Sequence, residues 1–388
     1  VCSSDLTSFQ LSAPMGAGDW TVRGGLTQGD ITAWLVSGAF TQRVEGAHQF
    51  ETGLSYGSQR YLGGNAFLLG ALTDGSRNVG EMYAADRWTL NPNVTVSYGA
   101  KYARYDYLSQ RGLLSPTVGV VLTPPESSVR LNASVSRREV APGAEEFLSP
   151  ASGLWLPPQR TFSALGGPNG YSRERIDTFE VRGEKQFGRD LVLAVRAFKQ
   201  QVDDQVVAMF GIAQAGSPVA SIGHYYVASA GDFDARGWGV SLSRTVIDGV
   251  KASLDYTQTD ADWMRPGADA RMLARLAPSA VRAEAERTYD FRAAVESQVP
   301  QTLTRVLVVY KLNSGFASAE PTGVTKTGMR YDVQVNQGLP FLNFAASQWE
   351  ALVSVRNMFR EGLTDVSAYD ELLVVRPPTR IVGGLSVR

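Results

Sequence analysis

The stretch WTLNPNVTVSYGAKYARYD, from Trp88 to Asp106, decides the fold class. Its segment Asn91-Pro92-Asn93 consists of residues that tight turns favour, and the residues after it alternate strictly between apolar and polar. Successive side chains of a strand point to opposite faces of the sheet. One face therefore collects Val94, Val96, Tyr98, Ala100 and Tyr102, while the other collects Thr95, Ser97, Gly99 and Lys101. The apolar face of this strand must contact either a second sheet or lipid.

The same period of two recurs along most of the chain, and helical periodicity is nearly absent. We predict about fifteen strands. They lie at about 31–43, 47–62, 78–90, 94–108, 114–123, 127–139, 175–187, 190–208, 222–246, 250–262, 284–298, 302–313, 324–337, 346–357 and 377–388. This pattern indicates an all-β protein.

The bulk composition excludes several classes of protein. The 388 residues carry a formal net charge of −1, so no basic surface predicts a nucleic-acid partner or a polybasic membrane anchor. No segment approaches the roughly 18 to 20 apolar residues of a spanning helix. Cys2 is the single cysteine, which rules out an internal disulfide and a thiolate metal cluster. No signal peptide is visible at the start of the sequence.

The connections between the predicted strands point to a membrane barrel. Short turns rich in Gly, Pro, Asn and Asp alternate with long polar loops, except for a short link near 109–113 and a longer one near 338–345. This alternation places the short turns at one end of the sheet and the long loops at the other. Transmembrane barrels have short periplasmic turns and longer extracellular loops. Charged residues such as Glu180, Arg182 and Glu184 on the second face are typical of a water-filled bore. In lipid, only helices and closed barrels pair all of their own backbone N–H and C=O groups.

Three stretches resemble the barrel of TonB-dependent outer-membrane receptors. AADRWTLNPNVTVSYGAKY (84–102) resembles a recurrent hairpin of that family, with an aspartate, an aromatic residue and a Pro-Asn turn. IDTFEVRGEKQF and DLVLAVRAFKQQVDDQVV (176–207) are similar to a later hairpin, and SVRNMF (354–359) with RIVGGLSVR (380–388) resembles the last two strands. The order and spacing of these motifs across about 80–388 carry the resemblance.

The resemblance implies an incomplete antiparallel up-and-down transmembrane β-barrel, with about 15 strands of a larger one, since such receptors have about 22. It also implies that the plug domain and the segment that engages the TonB complex belong to a missing N-terminal region. We expect residues 7–388 to be truncated receptor barrel. Residues 1–6 (VCSSDL) match a translated sequencing-adapter end, so we expect them to be a non-native leader.

The function that the resemblance implies is that of an outer-membrane receptor for TonB-energised uptake of a scarce solute. The solute class (siderophore, vitamin, carbohydrate or peptide) stays open. The expected location is the Gram-negative outer membrane, and the expected partners are outer-membrane lipid, the TonB complex and a small-molecule or chelate ligand. No cofactor, metal or enzymatic activity is expected.

The candidate residues fall into two groups. Trp88, Tyr98, Tyr102 and Trp349 lie near strand ends and are candidate aromatic anchors at the membrane interface, although aromatics also favour strands in general. Ligand contact by extracellular loops is predicted for Trp155, Phe162, Tyr171, Arg271 and Arg275. The two arginines lie in an Ala-rich segment, where the alternative is a solvated helical cap.

Three other functions remain open at this stage. A passive porin-like diffusion channel would have the same strands without a plug. An outer-membrane hydrolase could use Asp203, Asp204 and His224 to activate water, if the hairpin brings them together, whereas His48 lies at the opposite end of the predicted barrel. A soluble all-β binding protein would bury the apolar face between two sheets.

Overall fold

The computed structural model describes residues 5–29, 31–43, 46–61, 75–147, 160–166, 170–210, 224–282, 284–314, 328–342, 349–356, 367–369 and 380–387. Among these residues, no helix has both the length and the apolar character needed to cross a membrane.

Strands dominate the described ranges. They are β1 (Asp5–Met15), β2 (Gly18–Gln28), β3 (Ile31–Gln42), β4 (His48–Tyr61), β5 (Ser76–Asn91), β6 (Val94–Tyr105), β7 (Gly112–Leu122), β8 (Val129–Val140), β9 (Thr161–Ala164), β10 (Glu174–Phe187), β11 (Leu191–Asp203), β12 (Val206–Phe210), β13 (His224–Ser229), β14 (Gly231–Ile247), β15 (Val250–Pro266), β16 (Ala285–Val299), β17 (Thr304–Asn313), β18 (Gly328–Gly338), β19 (Trp349–Arg356) and β20 (Arg380–Val387). One helix, α1 (Ala270–Leu276), and 3-10 turns at Ala144–Glu146, Pro278–Ala280 and Pro340–Leu342 complete the described elements.

Seventeen of these strands form one sheet, and β9, β12 and β13 form a separate three-stranded sheet. In the large sheet each strand pairs antiparallel with the next one along the chain. The register runs from β1–β2 through β8–β10 and β11–β14 to β19–β20. This is the predicted antiparallel up-and-down order, with two strands before residue 31 that we had not predicted. Asp5 and Leu6 of β1 pair with Gln28 and Thr27, and the non-native origin of 1–6 stays a prediction.

Two long predicted strands are each divided in the structure. The predicted strand 190–208 breaks at Asp204, whose positive φ of 54° turns the chain out of the sheet and separates β11 from β12. The predicted strand 222–246 breaks before Gly231, which has a φ of 119°. A Cβ atom at Gly231 would lie 2.0 Å from the carbonyl oxygen of Arg265, so only glycine fits this close approach.

The connections at the two ends of the sheet differ in length as predicted, except that the short connections 29–30 and 106–111 lie at the loop end and the longer connection 339–348 lies at the turn end. What we call the turn end carries the connections 16–17, 43–47, 92–93, 123–128, 188–190, 248–249, 300–303 and 339–348. What we call the loop end carries 29–30, 62–75, 106–111, 141–173, 204–230, 267–284, 314–327 and 357–379. Gly188 and Gly249 adopt positive φ at the turn end, which lets the chain reverse within two or three residues.

One face of the large sheet, which we call the apolar face, is exposed across all its strands. The register places Val118 beside Val135, and Val135 beside Phe179, and these side chains are 52%, 58% and 51% exposed. Further exposed residues on this face include Leu11, Val22, Leu54, Met82, Val195, Leu254, Met329 and Val353. No second sheet covers these side chains in the described part of the chain, which contradicts the soluble sandwich.

The opposite face, which we call the polar face, carries cross-strand ion pairs near mid-sheet. Lys101 lies 2.9 Å from Glu81, and Arg196 lies 3.4 Å from Glu180 and donates to Thr257. Glu184, predicted to face a watery bore, pairs with Arg182 at 2.8 Å on the same face. Charged and apolar side chains thus alternate along these strands, as in the wall of a wide barrel.

The buried core lies at the loop end of the polar face, where we had predicted an open bore. The polar-face positions nearest the loops are apolar and buried: Val79, Tyr105, Leu113, Val140, Ile176, Val202, Phe233 and Ala261. Loop segments pack onto them and remove this apolar surface from water, which is the main source of stability available there.

Candidate functional site

The candidate site is the set of segments that covers the loop end, which we call the loop-end layer. It consists of β9, β12, β13, helix α1, the turn Pro278–Ala280 and residues 367–369. In the small sheet β12 pairs antiparallel with β13, and β13 pairs parallel with β9. Segments far apart in sequence therefore share one surface above the sheet.

An aromatic cluster supports one half of this layer. Phe162 of β9 stacks on Tyr225 of β13 with ring centroids 5.6 Å apart, and it meets Tyr171 and Tyr107 edge-on at 6.0 and 5.6 Å. Such edge-on and offset pairs are the favoured aromatic geometries. Phe162 is fully buried and Tyr171 is 7% exposed. The structure thus brings two predicted ligand residues together, but beneath the surface of the layer.

A buried arginine holds this aromatic cluster together. Arg77 of β5 donates to the carbonyl oxygen of Phe162 at 2.7 Å and to the Tyr171 hydroxyl at 2.8 Å. Its guanidinium carbon also lies 3.9 Å from the centre of the Phe162 ring, within the range of a cation–π contact. Arg77 could not be recognised from the sequence, because one arginine in an alternating strand carries no signal of its distant partners.

His224, at the start of β13, is also enclosed in this layer. Its Nδ1 lies 2.7 Å from the Thr161 hydroxyl, and its side chain is buried beside Tyr226. Nε2 has no hydrogen-bond partner among the described residues. Burial, with a smaller contribution from the positive charge of Arg77, lowers the pKa of His224 from 6.5 to about 4. The imidazole is therefore neutral at physiological pH.

Helix α1 covers the other half of the layer. Leu273 is buried in one hydrophobic cluster with Ile176, Phe233 and Tyr369, while Arg271 and Arg275 are exposed. Residues four positions apart lie on the same side of a helix, so the two guanidiniums share its solvent face. The spacing of Arg271, Arg275 and Arg282 predicts a helix, and α1 includes the first two of these arginines. The third arginine, Arg282, lies beyond the helix, where it is 3.3 Å from Glu286.

Residues 367–369 tie the last described loop segment to this half of the layer. Tyr369 is fully buried, and its hydroxyl donates to Glu286 at 2.8 Å. The hydroxyl of Ser367 donates to Gln205, and the backbone N–H of Ala368 donates to Gln200 at 3.1 Å. Residues 367–369 thus form hydrogen bonds with β11 and with Gln205, which directly precedes β12.

The residues of the alternative hydrolase are not brought together. Asp204 accepts from the Ser229 hydroxyl at 2.9 Å, at the end of the β12–β13 hairpin remote from His224. Ser229 lies five positions after His224 on β13, which corresponds to about 17 Å along a strand. Asp203 is held by Arg175. The arrangement predicted for water activation is therefore wrong, and His48 lies at the turn end, as predicted.

Carboxylates beside Ser229 are partly buried. Burial raises the pKa of Asp204 and of Asp269, and each shift is opposed by a hydrogen bond from Ser229. No group of three or more metal-binding side chains occurs within the ranges described above.

The predicted aromatic anchors all lie on the apolar face. Trp88 and Trp349 lie near the turn end, Tyr98 lies between the two ends of β6, and Tyr102 lies near the loop end. Tyr98 donates to Asp86 at 2.7 Å, and the Trp88 ring stacks on His48 at 5.4 Å. These aromatic rings lie in the apolar band and have polar partners, as residues at a membrane–water interface do. Their role as membrane-interface anchors remains a prediction. Trp155 lies outside the described residues.

Comparisons with known proteins give a family and a set of similar structures. Residues 4–349 match the family model described as TonB dependent receptor-like, beta-barrel. No curated protein matches the chain. Similar solved structures include the siderophore receptor PirA from Pseudomonas aeruginosa, at 12% identity and a TM-score of 0.49, over 99% of this chain and 64% of that one.

Two further solved structures are similar at the same level. The FrpB iron transporter (F3-3 variant) from Neisseria meningitidis shares 12% identity at a TM-score of 0.49, over 94% of this chain and 61% of that one. A double mutant of the Serratia marcescens hemophore receptor HasR, in complex with HasA and heme, shares 14% identity at a TM-score of 0.41, over 98% and 65%. The chain spans less than two thirds of the length of each of these structures.

Proposed function

Because the chain belongs to the family of TonB-dependent receptor β-barrels, we propose that it forms the wall and ligand-binding mouth of a receptor for energised solute uptake. Its location is the Gram-negative outer membrane. The apolar face then contacts lipid, and the loop end faces the outside of the cell. In the whole receptor, the TonB complex would supply the energy through the N-terminal region that the family resemblance implies.

The proposal rests on one observation. The loop-end layer covers the loop end of the polar face, while the apolar face of the same sheet is exposed. A diffusion channel needs an unobstructed bore, whereas here loop segments from five parts of the chain pack across the polar face. A mouth whose segments pack into buried clusters is suited to recognising a solute, because preorganised side chains lose little entropy on binding. The second candidate, a porin-like channel, would leave this end open.

The exposed guanidiniums of α1 give the mouth its proposed chemistry. Arg271 and Arg275 face solvent on one side of the helix, while Phe162 and Tyr171 are buried in the other half of the layer. Two cations at a mouth raise the local concentration of an anion and supply charged donors. We therefore expect an anionic solute, such as an iron chelate, to be the ligand.

This proposal predicts a loss of uptake on charge reversal at α1. In cells that carry the complete gene, an anionic chelate such as ferric enterobactin or ferric citrate should accumulate only when TonB is present. The pair R271E and R275E should lower its affinity at least tenfold at low salt, and less at high salt. The pair R189E and R244E, at the turn end, is the matched control. Accumulation without TonB, with steady conductance of the purified protein in planar bilayers, would establish the channel instead.

A further inference from the structure

A shallow groove lies on the apolar face, away from the loop-end layer. It has a volume of about 470 Å³ and crosses β7, β8, β10 and β11. Its lower wall is formed by Val118, Val135 and Phe179, which are about half exposed and belong to the apolar band. Its upper wall is formed by Arg137, Asp177 and Lys199. The groove therefore spans the boundary between lipid-facing and charged surface.

Two cations at this boundary have no carboxylate partner. Lys199 of β11 lies directly opposite Arg236 of β14 in the register, and both side chains are exposed. Side chains in such positions have Cβ atoms roughly 5 Å apart, and like charges there destabilise the sheet. Neither cation forms an ion pair within 4.0 Å in the described part of the chain. An anion between them would remove this repulsion.

The nearest carboxylates are already engaged. Asp177 accepts two hydrogen bonds from Arg137, at 2.7 and 3.0 Å, and Asp260, which faces Arg236, lies 2.5 Å from Arg287. Asp234 and Asp262 lie opposite each other one register step nearer the loop end. The two cations are thus among the charged groups that border the apolar band, and Trp238 lies two residues from Arg236 on the same strand and the same face. Tryptophan favours this depth in a membrane.

We propose that this groove, together with Arg236 beside it on β14, binds a phosphorylated lipid of the leaflet at the loop end. The phosphate lies at the edge of the groove, between Lys199 and Arg236, and an acyl chain lies along Val118, Val135 and Phe179. Charge complementarity supports a phosphate, because ammonium and guanidinium groups are its usual protein partners. Position supports a lipid, because the two cations lie at the upper edge of the surface that faces acyl chains. The site is independent of the solute that the mouth binds.

The test compares two pairs of neutral substitutions on the apolar face. K199Q with R236Q removes the proposed phosphate site, and K185Q with R244Q removes two exposed cations of the same face near the turn end. Purified protein in detergent is titrated with bis-phosphorylated lipid A, and the bound lipid is counted by native mass spectrometry. We expect at least tenfold weaker binding for the first pair and unchanged binding for the second. Heat-modifiable migration on gels verifies that each variant folds.

Two further probes separate the sources of phosphate. Dephosphorylated lipid A should bind the unmodified protein as weakly as phosphorylated lipid A binds the K199Q and R236Q variant. Inorganic phosphate at tens of millimolar should not displace the lipid. If the two double variants bind phosphorylated lipid A equally well, or lose its binding to the same extent, the proposed site is wrong. Full competition by inorganic phosphate would overturn the lipid as its occupant.

Discussion

Replacing Val195 by arginine should destabilise the protein in a bilayer by about 2–4 kcal/mol, the cost of a cation on the lipid face near mid-membrane. Val195 lies in the middle of the apolar band on β11, between Leu193 and Ala197, and its side chain is 51% exposed. Exposure in a water-soluble protein would make this substitution nearly neutral. The measurement is the urea midpoint for unfolding from phospholipid vesicles.

The matched control places the same arginine on the polar face. Ser241 of β14 lies next to the residue that pairs with Val195, and it faces Asp255 across β15. S241R should therefore change stability by less than about 0.5 kcal/mol, since the guanidinium meets water and a carboxylate. If V195R and S241R change the stability equally, the two faces are in the same environment, and the apolar face does not contact lipid.

Acidification should open the loop-end layer between pH 6.5 and pH 4, through His224. Its pKa is about 4 in the folded protein and 6.5 when unfolded, so the unfolded state binds more protons in this window. Stability is therefore intact above pH 6.5 and falls as the pH drops toward 4, with a total loss of at most about 3 kcal/mol. Hydrogen exchange of β9 and β13, corrected for intrinsic rates, measures the effect.

His224→Gln tests the assignment, because the amide can keep a hydrogen bond to Thr161 but does not titrate. The variant should lose the pH dependence of protection in β13 within this window. His48→Gln, at the turn end, should keep it. The raised pKa values of Asp204 and Asp269 act in the opposite direction, since protonation of these carboxyls is favoured in the folded state. An unchanged pH profile in His224→Gln would contradict the assignment.

The large sheet could be predicted from the sequence because its signal is local. Val94 to Tyr102 alternates residue by residue, and neighbouring strands repeat the pattern, so each strand specifies its own two faces. The turn chemistry between strands then sets the antiparallel order. The divisions at Asp204 and Gly231 could not be predicted in this way, because they depend on a positive φ and on the carbonyl of Arg265.

The loop-end layer could not be derived from the sequence because its contacts are distant along the chain. Phe162 and Tyr225 belong to two separate connections and meet Arg77 of β5, and Tyr369 reaches Glu286 across 83 residues. Ligand contact is predicted for Phe162 in loop 140–174, but nothing local in the sequence indicates that Phe162 forms part of a strand. The helical spacing of Arg271 and Arg275 was local, and it was predicted correctly.

The central claim is that the apolar face of this sheet contacts lipid, and spin labels on β6 test it most directly. In a Cys2→Ser background, single cysteines at Tyr98, Ala100 and Tyr102 sample the apolar face, and those at Ser97 and Lys101 sample the polar face. In vesicles, the first set should collide with dissolved oxygen and resist a water-soluble nickel complex, while the second set does the reverse. If both sets are shielded from both reagents, as they would be between two packed sheets, the apolar face does not contact lipid and the central claim is contradicted.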